Sequence, residues 1–175
     1  MHINAATRSA EVLAILLATM ALLGGCDRTH SGPTSSAERK PSAPLTDPNG
    51  RPWPSRATYI QELPVLNDDG HSEVTVDNRS NGSAVFVKLL DQGVGVPVRQ
   101  FYIPKGAEFI LRDVRAGRYE IRYMDLSNGS ASKSDTFVVD ERRTLEGIEY
   151  SSFTLTLYTV ANGNMRMKPL VAGEF

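Results

Sequence analysis

Three Asn-Gly pairs, Asn81-Gly82, Asn128-Gly129 and Asn162-Gly163, stand between short segments whose apolar residues recur at every second position. Both residues of such a pair tolerate positive φ, so the pair favours the tight turn of a β-hairpin. Arg118 to Asp125 shows the period most cleanly. Tyr119, Ile121 and Tyr123 fall on one side, and Arg118, Glu120 and Arg122 on the other. Side chains alternate across a strand, so a pattern with period two predicts a half-buried strand and excludes an amphipathic helix.

The same reading predicts strands at Ser72–Asp77, Ala84–Leu90, Val96–Ile103, Glu108–Val114, Thr136–Val139, Phe153–Val160 and Met165–Val171. Lys105-Gly106 and Ala116-Gly117 mark further turns. Asp140 to Tyr150 is expected to hold a helical turn and no more. Seven to nine short strands within residues 57–175 predict an all-β domain, a small antiparallel β-sandwich. The chain's only cysteine is Cys26, so no disulfide within the chain can staple the domain. An apolar core has to hold it.

The N-terminal part is of another kind. Val12 to Leu23 (VLAILLATMALL) carries no charge and is too short to span a bilayer stably, which takes about 20 residues. It ends in Leu23-Gly24-Gly25-Cys26. A short apolar run closed by small residues is an export signal pattern. Leu-Gly-Gly-Cys resembles the lipobox of bacterial lipoproteins. That resemblance implies a signal peptide over residues 1–25, a diacylglycerol on the Cys26 thiol after export, and palmitate-type acylation of the freed amine. Two or three acyl chains give durable anchoring. The expected address is the cell envelope, facing the periplasm or the exterior. Asp27 resembles the inner-membrane retention signal of enteric lipoproteins, a rule that does not extend to all bacteria.

Residues 26–56 contain six of the ten prolines, with much Ser, Thr and Gly. Such a stretch buries too little apolar surface to offset its ordering entropy, so it is expected to be a flexible linker. Trp53, the only tryptophan, either docks back onto the domain or serves as an exposed binding anchor. Docking is the expectation, with order starting near residue 52.

Gly106 to Met124 (GAEFILRDVRAGRYEIRYM) resembles a hairpin of prealbumin-like (transthyretin-like) sandwiches. There an apolar strand, a glycine turn and a Tyr-x-Ile-x-Tyr strand follow one another, with a tyrosine packed between sheets.

A formal net charge of -1 argues against a nucleic-acid partner, which calls for a basic face. His71 lies alone in a turn, where a zinc site or a catalytic triad needs several convergent groups. Ser130-Ala131-Ser132-Lys133 has the Ser-x-x-Lys spacing of penicillin-binding enzymes, but it leads into a strand, where i and i+3 point apart. Asp68-Asp69-Gly70 and Asp77–Gly82 read as turns, because Arg79 stands where a calcium loop wants an oxygen. Asp77, Asp91, Asp113, Asp125 and Asp135 are too scattered to reveal a catalytic group. Neither metal nor cofactor is expected.

The one surface feature is basic. Arg112, Arg115, Arg118 and Arg122 could present guanidinium groups together to an anionic partner, or form a solvated, salt-laced sheet face. The functional expectation is a non-enzymatic binding or adaptor module. It would be held to membrane lipid through acylated Cys26 and would meet an envelope protein or cell-wall polymer. The alternatives are an enzyme acting on cell-wall or lipid substrates and a passive surface lipoprotein.

Overall fold

A computed structural model describes residues 42–157, 167–171 and 173–175. The export signal, Cys26, Asp27, the linker up to residue 41 and the Asn162-Gly163 pair lie outside the described residues. All the described residues belong to one unit, Arg39–Phe175.

The described chain is all-β, with twelve strands. They are β1 (Thr58–Tyr59), β2 (Ser72–Asp77), β3 (Val85–Asp91), β4 (Val96–Ile103), β5 (Glu108–Val114), β6 (Gly117–Asp125), β7 (Ala131–Lys133), β8 (Phe137–Val139), β9 (Glu141–Thr144), β10 (Gly147–Tyr150), β11 (Ser152–Thr156) and β12 (Lys168–Pro169). The count exceeds the expected seven to nine because β1 and β7 are two- and three-residue pieces with no alternation to read, and β9 and β10 form a hairpin where a helical turn was expected.

The larger sheet runs β1-β4-β3-β6-β7-β12, and β8 pairs the other end of β6. The smaller sheet runs β11-β2-β5. Valines 74 and 76, Leu111, Val114 and Leu155 of the smaller sheet pack against Val85, Val87, Leu89, Phe101, Ile103, Tyr119 and Ile121 of the larger, in one fully buried cluster. This is a two-layer β-sandwich. One pairing departs from the antiparallel expectation: β11 lies parallel to β2. The two segments are far apart in sequence, and only the long connection between them permits a parallel neighbour.

Strand β3 explains its own composition. It is central, with β4 on one side and β6 on the other. Val85, Val87 and Leu89 enter the main core, while Phe86 belongs to a second cluster on the outer face with Ile60 and Tyr102. A strand covered on both faces reads as a continuous apolar run.

The cover on that outer face is the segment expected to be linker. Residues 42–56 dock on the larger sheet, so the expected boundary at residue 57 falls inside the folded unit. Asp47 organises a turn: its Oδ1 accepts from Asn49 N and Arg51 N, each at 2.9 Å, and Gly50 sits at φ 79°. Thr46 then bridges Pro52. Trp53 stacks on Tyr102 at 5.8 Å and meets Phe86 at 5.6 Å, while its Nε1 donates to Pro44 O at 3.0 Å. Proline and polar composition describes the strap well; what orders it is one large aromatic ring, one carboxylate cap, and bonds from Asn49 and Arg51 to Gln61 and Glu62.

A second correction concerns Asp140 to Tyr150. It is no helical turn but a hairpin, β9–β10, with Thr144 opposite Gly147 and Arg142 opposite Glu149. Its strands are charged on both faces, so no apolar period marks them. An Arg142–Glu149 ion pair joins them across the ladder.

The turn after β2 carries a testable charge. Asp77 accepts from Arg79 N at 2.8 Å, Nε at 3.0 Å and Nη2 at 2.9 Å. Hydrogen bonds from the Arg79 side chain hold its carboxyl below the ordinary 3.8. A depressed carboxyl stabilises the fold above the unfolded value, and that contribution is lost as pH falls through the folded value. Asp77→Asn is therefore expected to destabilise by about 1–2 kcal/mol near neutral pH. The gap to the parent should narrow steadily below about pH 4. Thermal melts across that range check it, and a gap independent of pH would contradict it.

Candidate functional site

The four arginines singled out by sequence do not share one face. Arg112 lies on β5 of the smaller sheet and Arg115 just beyond it, while Arg118 and Arg122 lie on β6 of the larger sheet. Arg112 pairs with Glu73. Arg115 holds Asp69 in a two-bonded fork at 2.7 and 2.8 Å. Arg122 donates to Glu120 at 2.7 Å and to the backbone oxygen of Glu174. Arg118 is exposed and has no ion pair among the described residues.

The other sequence candidates are likewise engaged locally. His71 Nδ1 sits 3.0 Å from Glu141 Oε1. Lys133 lies on β7 and reaches Glu120 at 4.0 Å, and Ser130 precedes that strand, so the Ser-x-x-Lys pair forms no helical turn. Asp91 accepts from Asn67 at 2.9 Å, Asp125 from Ser127 at 2.8 Å, and Asp135 from Lys168 at 2.6 Å. Among the described residues no group of three or more His, Cys, Asp or Glu could hold a metal ion.

The structure instead brings together a group that the strand pattern half-concealed. Arg99 on β4 falls in phase with Phe101 and Ile103, on the face that enters the core, and is only 2% exposed. A β-bulge lies directly beside it. Leu89 pairs Arg99 while Leu90 pairs Pro97, so Val98 is an extra residue, and both Val98 and Arg99 are buried. Its Nη2 donates to Asn67 O at 2.8 Å, and its Nε has no hydrogen-bond partner among the described residues. A buried guanidinium with a spare donor is costly, because charge taken out of water needs compensation.

Arg99 lines a cavity of about 290 Å³ at the Asn67 end of the sandwich. Tyr59, Asp68 and Asp113 contribute polar groups, Val65 and Ile110 apolar surface, and Arg112 one edge. Burial raises the pKa of the Tyr59 hydroxyl, against the opposing pull of the Arg99 guanidinium beside it, so it stays a neutral hydrogen-bonding group. Asp68 and Asp113 are exposed and make no ion pair among the described residues.

The backbone around this cavity is special twice over. Ser72 pairs Val114 and Val74 pairs Leu111, so Arg112 and Asp113 together oppose Glu73 in a second bulge. Asp113 there adopts φ 55°, and Asn67 adopts φ 56°. Left-handed residues other than glycine and bulges re-aim side chains, and they collect at functional sites.

Asn67 is the hub that holds this geometry. Its amide nitrogen donates to Asp91 and, at 3.1 Å, to Tyr119 Oη; its carbonyl accepts from Arg99 and, at 3.0 Å, from Arg115 N. The buried Tyr119 in turn donates to Arg115 O, four residues upstream, at 2.9 Å. A tyrosine tied back across a strand-entry corner in this way is a recurring lock of sandwich folds. Gly70 completes the loop: a Cβ there would meet Val114 O at 2.2 Å, so no larger residue fits without moving backbone.

The chain matches no family model, no curated protein and no solved structure. Sequence reasoning missed Arg99, Asn67 and Tyr59. The available signal was a single charged residue in phase with Phe101 and Ile103.

Proposed function

We propose that this protein is a lipid-tethered, non-enzymatic binding module of the cell envelope. The observation that carries the binding role is Arg99: a buried guanidinium with no carboxylate partner among the described residues, at the wall of a cavity framed by two bulges. Such a group suits ligand recognition, and the cavity wall offers no nucleophile paired with a base. Support for the tether is the uncharged run Val12–Leu23 ending in Leu-Gly-Gly-Cys. An acylated Cys26 would keep the module at a membrane, and residues 27–41 would set its reach toward an envelope protein or cell-wall polymer.

Metabolic labelling with a radioactive fatty acid tests the tether. The full chain is expected to take up label, and Cys26→Ser is expected to take up none. Equal labelling of the two would remove the anchor from the reading.

A further inference from the structure

We infer that the Arg99 cavity receives the zwitterionic end of a small ligand, an α-amino carboxylate carrying a short apolar side chain. The assignment rests on the binding-module reading above and adds the class of ligand.

The charges around the cavity are present but do not neutralise one another. Arg99 lines the cavity with no carboxylate partner among the described residues; Nη2 is taken by Asn67 O and Nε is closed off inside the fold, so the guanidinium brings the cavity an uncompensated positive charge. Asp68 and Asp113 line the same cavity and are not ion-paired. Arg112, at the edge, is already engaged by Glu73. One unpaired cation and two unpaired anions leave the cavity with an excess negative charge. That balance repels a simple anion such as phosphate and disfavours acetate. It suits a ligand that brings both signs.

A carboxylate matches the planar guanidinium of Arg99, and charge-assisted hydrogen bonds of that kind are the strong ones. An ammonium on the same ligand matches Asp68 and Asp113, which line the same cavity. Tyr59 adds a neutral hydroxyl that can serve the carboxylate, and Val65 and Ile110 provide apolar surface for a side chain. A volume of about 290 Å³ is on the scale of one amino acid or the end of a peptide. The left-handed backbone at Asp113 has the same meaning: the bulge holds this carboxylate at the cavity although it strains a non-glycine residue.

Calorimetric titration of the detergent-solubilised full chain tests the assignment. Leucine is expected to bind, with acetate and methylammonium each at least tenfold weaker. Asp68→Asn combined with Asp113→Asn is expected to weaken leucine at least tenfold. Both positions are exposed, and asparagine tolerates the left-handed conformation of residue 113, so this variant keeps its fold. Acetate binding as tightly as leucine, an unchanged double variant, or phosphoethanolamine binding more tightly than leucine would each overturn the proposal, the last in favour of a lipid headgroup. Absence of any binding overturns this ligand assignment alone. Chemical conversion of leucine during the titration would overturn the non-enzymatic reading on which it stands.

Discussion

Phe101→Ala is expected to lower stability by about 3–5 kcal/mol, enough to consume much of the margin of a small domain. Phe101 is fully buried at the centre of the main core. It stacks on Phe109 of the opposite sheet at 4.9 Å and meets Tyr59 edge-on at 6.3 Å. Removing the ring leaves a cavity between two sheets whose backbones are fixed by their ladders, so the gap cannot collapse. With one cysteine in the chain, no disulfide can limit the unfolded state and soften the loss. The arrangement also couples this core position to the cavity, because Tyr59 packs on Phe101 and Phe109 and lines the site. Denaturant unfolding measures the effect. A loss under about 1 kcal/mol would mean that the two sheets are less tightly packed than their contacts indicate.

The second large effect is expected from Trp53→Ala, about 2–3 kcal/mol and concentrated in the strap. The indole covers Phe86 and Tyr102 on the outer face of the larger sheet, where Phe175 also packs on Phe86 at 5.6 Å. Between them lies Lys88, whose ammonium sits 4.4 Å above the Phe175 ring. Desolvation lowers the Lys88 pKa, helped by the charge of Arg122. Loss of the indole removes the stacking and the hydrogen bond to Pro44 O. Residues 42–56 should then be released while the sandwich holds, so trypsin should cut after Arg56 many times faster than in the parent, the Arg51–Pro52 bond being resistant to it. An unchanged cleavage rate would show that the bonds from Asn49 and Arg51 to Gln61 and Glu62 keep the strap in place without the indole. In the parent, the single tryptophan reports the same event by a red shift of its fluorescence.

Much of the strand content was legible. The alternation in Arg118–Asp125 became β6, the apolar run Ala84–Leu90 became the doubly covered β3, and Asn128-Gly129 became the turn between β6 and β7. These readings succeed because side-chain period and turn chemistry are local properties. Failures follow the same logic in reverse. The β9–β10 hairpin stands apart as its own two-stranded sheet, so no apolar face had to be written into it. The strap over the larger sheet has linker composition, and Trp53 alone hinted at its docking.

The arginines illustrate the limit for the candidate site. Composition draws the eye to Arg112, Arg115, Arg118 and Arg122, which are clustered in sequence but spread over two sheets by the fold. Arg99 stands alone in an apolar strand. Its importance depends on what lies across the sandwich.

The sequence by itself determined that the domain is all-β, where most of its strands lie, and that no disulfide within the chain closes it. The lipobox-like Leu-Gly-Gly-Cys is also a property of sequence alone. Tertiary structure decided which strands are neighbours, including the parallel β2–β11 pair, and it decided that Arg99, Asp68, Asp113 and Tyr59 line one cavity. Periodicity records only how each segment divides its own two faces. Bulges, left-handed residues and long-range pairing set where those faces point, and these arise from contacts between segments distant along the chain.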